Sequence, residues 1–130
     1  MEQNTKWDAA APGISFCLEY GKIAIFRRTL ELLDNPEHYR FLFDPDGRQF
    51  AVQACSMDAA GSHQLPKLKD GDAYTIKSKD LLRFIYQCCG WKRKVSYCVA
   101  GCHLPDEKLV SFDLNMALEI CEGKLVGTSE

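Results

Sequence analysis

The stretch GKIAIFRRTLELLDNPEHYRFLFDPDGRQFAVQAC, residues 21–55, decides the fold. Gly21 ends an apolar run at 14–20, and Lys22-Ile23-Ala24-Ile25-Phe26 then alternates, so Ile23 and Ile25 share one face of a strand. Leu30, Leu32 and Leu33 follow at helical spacing, with Thr29 or Arg27-Arg28 as the opening and Asp34-Asn35-Pro36 as the stop. Tyr39-Arg40-Phe41-Leu42-Phe43 reads as a strand, and Asp44-Pro45-Asp46-Gly47 places Pro and Gly where a type I turn favours them. Phe50 and Val52 lie on one face of the return strand, which closes a hairpin.

The reading extends in both directions from this stretch. Residues 1–13 are polar and alanine-rich and form a tail, with Trp7 as its one anchor and Pro12-Gly13 as its end. Residues 14–55 make a first β-α-β-β unit, and 56–72, SMDAAGSHQLPKLKDGD, reads as a linker. The order then recurs. A short strand at 73–76 leads to a helix capped by Ser78 and closed by Gly90, with Leu81, Leu82, Ile85 and Tyr86 as its apolar face. A strand at 94–99, a loop at 100–107 and a return strand at 109–112 follow. Asp113 or Asn115 caps a last short helix through Met116, Leu118 and Ile120, so the second unit spans 73–123 and a tail spans 124–130.

The two passes correspond residue by residue. Ile23, Ile25, Leu30 and Leu33 match Tyr74, Ile76, Leu81 and Phe84; Tyr39, Phe41 and Phe43 match Val95, Tyr97 and Val99; Phe50 and Val52 match Val110 and Phe112. A unit that cannot bury its own apolar face needs a partner of this kind. The expected fold is α+β: two β-α-β-β units packed as a pseudo-duplicated sheet domain with a short C-terminal helix.

Composition narrows the function classes. The chain has 130 residues, 46% hydrophobic and 26% charged, ample for one core. Sixteen basic and 18 acidic residues give a net charge of -2, which excludes a polybasic protein and leaves room only for a local basic patch. No apolar run is long enough to span a membrane and the first residues lack an apolar leader segment, so a cytoplasmic protein is expected. Seven cysteines, an odd number, read as reduced thiols serving as small buried hydrophobes.

Chemistry-bearing motifs are sparse. Cys88, Cys89, Cys98, Cys102 and His103 have the right types for zinc, but only Cys98 and Cys102 have knuckle spacing, and adjacent Cys88 and Cys89 point apart on a helix. Asp44 and Asp46 fit a turn better than a metal pair, and Asp70 and Asp72 read the same way. No nucleotide-binding, zinc-protease or nucleophile-elbow signature occurs. We therefore expect no catalytic residue, no metal and no cofactor.

Residues 21–55 resemble the swapped-hairpin unit of the AbrB/SpoVT/MazE class. Gly21-Lys22 matches its strand opening, Ile23 and Ile25 its strand, and Leu30 and Leu33 its helix core. Residues 73–113 resemble it more faintly, which suggests two units in tandem, as in MraZ-like members. Phe26 departs from the usual Pro, Asp34-Asn35 from the usual Gly, and Asp72-Ala73 from the Gly-basic opening. The resemblance implies a small transcriptional regulator that binds double-stranded DNA. Lys22, Arg27, Arg28, Lys77, Lys79, Lys92, Arg93 and Lys94 are then the expected contacts, with Arg40 and Arg83 as further basic candidates. Trp91 beside Lys92-Arg93-Lys94 mixes an aromatic ring with cations, as nucleic-acid surfaces do. In this arrangement the two helix starts would merge Arg27 and Arg28 with Lys77 and Lys79 into one patch. The alternative is a non-catalytic interaction module that pairs with itself as a homodimer or with an unidentified protein partner.

Overall fold

The computed structural model describes residues 11–67, 73–121 and 124–126. In chain order the elements are β1 (Gly13–Cys17), β2 (Lys22–Phe26), α1 (Arg27–Leu32), β3 (His38–Asp44), β4 (Gln49–Ala54), β5 (His63–Gln64), β6 (Ala73–Lys77), α2 (Lys79–Cys89), β7 (Ser96–Leu104), β8 (Leu109–Asp113), β9 (Leu118–Cys121) and β10 (Lys124–Val126). Single 3-10 turns at Pro105–Glu107 and Leu114–Met116 flank β8.

The strands form one antiparallel sheet in the order β5-β3-β4-β8-β7-β1-β2-β6, curled into a half-barrel. This overturns the expected α+β pair of packed β-α-β-β units. Strands from the two halves of the chain interleave: β1 lies between β2 and β7, and β4 pairs β8. The long strand β7 carries much of the curl. Its first half pairs β9 on one side and β1 on the other, and its second half pairs β8. The segment expected as a loop at 100–107 is thus largely strand. Gly101 permits this, because a Cβ there would sit 2.6 Å from Val110 Cγ1 and 2.9 Å from Phe112 Cε1.

The expected C-terminal helix is also absent. Asp113 accepts the Asn115 N–H at 3.1 Å, but the turn lasts only through Met116. Leu118 to Cys121 then extend along Ser96–Cys98 of β7. Within the stretch expected as a tail, 124–126 form β10. Trp7, and the final part of the expected linker, lie outside the described residues.

Inward positions follow the period of two. Ile14 and Phe16, Ile23 and Ile25, Phe50 and Val52, and Val110 and Phe112 are all buried. Leu30 and Leu33 from the α1 region and Leu82, Ile85 and Tyr86 of α2 complete the core on the concave side. The positions corresponding to Leu30 and Leu33 are therefore Leu82 and Ile85, rather than Leu81 and Phe84. Of the two expected openings Arg27-Arg28 starts α1, and Thr29 lies inside it. Its buried hydroxyl accepts the Gly13 N–H at 2.8 Å and donates to the Gly13 carbonyl at 2.9 Å. Asp34 and Asn35 end the helix with φ of 60° and 46°, a region these two residue types tolerate.

The registers relate the two halves within this one sheet. Ile23 opposes Ile76 while Ile25 opposes Tyr74; Phe50 opposes Phe112 while Val52 opposes Val110. Both ladders map onto themselves when the halves are exchanged, with local two-fold points at Ala24/Thr75 and Ala51/Ser111. The hairpin ends agree, Asp44 opposite Gln49 and Leu104 opposite Leu109, with Arg48 and Lys108 both at φ 56°. Tyr39 hence corresponds to Val99, four residues beyond the Val95 expected from sequence.

Candidate nucleic-acid interface

The basic residues meet at the Gly21 end of the β2–β6 ladder. Gly21 turns the chain at φ 67°, with its N–H donating to the Leu18 carbonyl at 3.0 Å and its own carbonyl accepting the Ser78 N–H at 3.0 Å. Gly21 and Ser78 are thus a hydrogen-bonded pair continuing the β2–β6 register. Alternation makes Ile23/Ile76 and Ile25/Tyr74 hydrogen-bonded pairs, and makes Lys22/Lys77 a pair of the closer, non-bonded kind. In that geometry the Cα atoms lie about 4.5 Å apart. Both lysines are exposed, and like charges in this position repel. Lys79 joins them: its aliphatic stem lies 3.8 Å from where a Gly21 Cβ would be.

The basic character continues along α2. Leu82, Ile85 and Tyr86 face the core, so Lys79, Arg83 and Gln87 form an exposed row at steps of four residues. Arg83 pairs with Asp80 at 3.1 Å, but the Asp80 side chain is 98% exposed, so water screens the pair heavily. Glu19 and Asp80 are the exposed carboxylates on the segments that meet at this end. Farther along, Arg83 and Gln87 line a cleft of about 360 Å³ with Leu18, Tyr86, Trp91 and Arg93. Its floor is rigid. The Tyr86 hydroxyl lies 2.7 Å from the Val95 carbonyl and 3.0 Å from that of Phe16, and accepts the Leu18 N–H at 3.2 Å. Burial pushes its pKa well above the ordinary tyrosine value. Trp91 stacks on Tyr97 at 4.3 Å and meets Tyr86 edge-on at 5.2 Å.

Lys22 and Lys77 therefore lie opposite each other, with Lys79 beside Gly21 at the same end of the ladder, and Arg83 and Arg93 both line the cleft. Lys92 is exposed and pairs with Glu119 at 3.5 Å, and Lys94 is exposed beside it. Arg27 and Arg28 do not join Lys77 and Lys79. The β2–β6 pairing is antiparallel, so α1 starts beside Ala73 and α2 starts beside Gly21, roughly 17 Å apart along the ladder. Arg28 instead pairs with Glu31 on its own helix. Arg40 is tied into the sheet through Gln53 at 2.9 Å. Gln87 is the member of the surface that sequence reasoning misses; its spacing from Lys79 and Arg83 is the signal that marks it.

The other candidates resolve into structure. Asp44 Oδ1 accepts the Asp46 N–H at 3.2 Å, which closes the hairpin turn. Cys98 is buried, Cys88 and Cys89 are half-buried, and Cys102 is exposed. Among the described residues no three His, Cys, Asp or Glu side chains are grouped to hold a metal ion, and no helix is long and apolar enough to cross a membrane. Asp70 and Asp72 lie outside the described residues. Comparison of the chain with protein-family models, curated proteins and solved structures finds no match.

Proposed function

We propose that this protein is a small DNA-binding regulator that grips the phosphate backbone of a duplex with Lys22, Lys77, Lys79, Arg83 and Arg93. The observation that carries the reading is the Lys22/Lys77 pair. Two like charges directly opposite across a ladder cost stability, and a phosphate bridging them turns that cost into binding. The row along α2 begins at the same end of the ladder, where the Gly21-Lys22 opening that carries the swapped-hairpin resemblance also lies. A net charge of -2 confines the attraction to this face, so the role is local docking rather than wholesale coating of nucleic acid.

Fluorescence anisotropy with mixed duplex fragments across a salt series tests the proposal. Five phosphate contacts give a slope of log K against log salt of about -4.5. The variant with Lys22→Ala, Lys77→Ala and Lys79→Ala should flatten that slope by about 3 and weaken binding at every salt concentration. No binding at low salt, or a triple variant that binds as the parent does, overturns the reading.

A further inference from the structure

Another cleft lies at the seam where the half-barrel fails to close. It measures about 320 Å³ and is lined by Tyr39, Phe41 and His63 on one side and by Tyr74, Ile76 and Leu81 on the other, with Lys77 and Ser78 at its rim. The register relation between the two halves explains why it exists. On one side of the sheet, β1 pairs both neighbours, β7 and β2. Its counterpart on the other side is β5: His63 and Gln64 oppose Tyr39 and His38 as Ile14 and Ser15 oppose Val99 and Cys98. Leu65 donates its N–H to the Glu37 carbonyl at 2.8 Å, in the place of Phe16 opposite Tyr97. Pro66 then has no N–H to continue the ladder. β5 is cut to two residues, and His63 stands where the apolar Ile14 stands in β1. The bonds that β1 makes to β2 have no equivalent between β5 and β6.

Strand β6 is left with an open edge. Tyr74 and Ile76 use their backbone groups on β2, so Ala73, Thr75 and Lys77 turn theirs outward. Among the described residues nothing hydrogen-bonds to them. Tyr74 and Ile76 meanwhile point half-buried side chains into the cleft.

We propose that β6 takes up an extended peptide from a partner protein by strand addition, antiparallel to β6, with two large apolar side chains two positions apart. The occupant's chemistry is read from β1, which sets Ile14 opposite Ile25 and Phe16 opposite Ile23 on β2; β5 holds the matching place on β3 without bonding β6, and the peptide enters between β5 and β6. In the cleft the same two positions face Ile76 and Tyr74, and the outward N–H and C=O groups of Thr75 and Lys77 supply the main-chain bonds. This site uses the backbone of Lys77, whose side chain is among the proposed phosphate contacts, and it stands without those contacts.

The probe is a labelled peptide copying residues 11–20 with Cys17→Ser. The protein should bind it saturably, and the same peptide carrying Ile14→Asp and Phe16→Asp should bind at least about tenfold more weakly. Amide hydrogen exchange on the parent protein gives the deciding readout. The Thr75 and Lys77 N–H groups should exchange freely without peptide and at least about tenfold more slowly with it, while Tyr74 and Ile76 stay protected throughout. Thr75→Pro removes an outward donor without touching the β2 ladder, and should cost at least about tenfold in affinity. Equal binding of the Asp peptide, binding without protection at Thr75 and Lys77, or undiminished binding by Thr75→Pro overturns the proposal. So does protection of those amides before peptide is added, whether a dimer mass assigns it to a second copy or a monomer mass to the chain itself.

Discussion

Lys22 and Lys77 face each other as a non-hydrogen-bonded cross-strand pair, both exposed, at the end of a ladder whose next bond is Ser78 N–H to Gly21 C=O. Two lysines so placed predict opposite effects on stability and binding. Lys77→Glu replaces a repulsive pair with an attractive one, a gain of about 0.5 kcal/mol. The melting temperature should rise by roughly 2 °C. The same change puts a carboxylate among the phosphate contacts, and duplex affinity should fall at least about fivefold. Thermal denaturation and anisotropy on one preparation check both. A variant that loses stability and binding together would mean that the lysines are placed for packing.

Gly101 predicts a penalty in the sheet. An added Cβ meets Val110 Cγ1 and Phe112 Cε1, both on buried core residues that cannot swing away. Gly101→Ala should cost about 1–3 kcal/mol in urea unfolding, as overpacking does. Gly61→Ala makes the control on the steric point, since nothing lies within 4 Å of a Cβ there, although its φ of 76° adds a smaller strain of its own.

Thr29 is the one buried polar residue of the described core, and both of its hydrogen bonds go to Gly13. Thr29→Val keeps the shape and leaves the Gly13 N–H without that partner. The expected loss is about 1–3 kcal/mol. The first amides of β1 should also exchange faster, because this hydroxyl pins the strand's start to α1.

These residues mark where local sequence is informative. Alternation identifies Ile23 and Ile25, Phe50 and Val52, and Val110 and Phe112 as inward-facing, because a strand's period is two whatever its partner. Which strand pairs which has no local signal. The β1–β7 and β2–β6 ladders join residues 47 to 87 positions apart, and they turn two expected units into one sheet. They also separate Arg27 from Lys79, since antiparallel pairing sends the two helix starts to opposite ends. The expected C-terminal helix fails for a different reason. Met116, Leu118 and Ile120 recur every second residue, which is a strand's period, but the capping signal of Asp113 and Asn115 points to a helix. That cap is real and is spent on one 3-10 turn. Gly101 has the look of loop punctuation, whereas close packing inside a strand requires it. At the candidate site, Lys22, Lys77 and Lys79 are visible as basic residues, but their juxtaposition depends on the long-range pairing.

The cysteines predict an order of reactivity and a pH limit. Cys98 is 2% exposed in β7, and burial pushes its thiol up to about 12 from an ordinary 9.0. Cys102, farther along the same strand, is exposed. A thiol reagent at pH 8 should therefore modify Cys102 early and Cys98 only on unfolding. The thiol proton gives the sign of the pH effect. Between pH 9 and about 12 the unfolded chain has lost this proton while the folded chain keeps it, so the folded state binds more protons and stability falls as pH rises. The contribution is fully present below pH 9 and is lost as pH approaches about 12. Tyr39 and Tyr86, also raised by burial, add to the decline only above their ordinary value of 10.0. Urea unfolding at half-unit steps from about pH 8 should show the decline beginning near 9, and Cys98→Ala should make it shallower, the rest coming from Cys89, whose thiol burial also raises from 9.0. A parent profile flat to about pH 10 would mean that Cys98 ionises as a solvated thiol does.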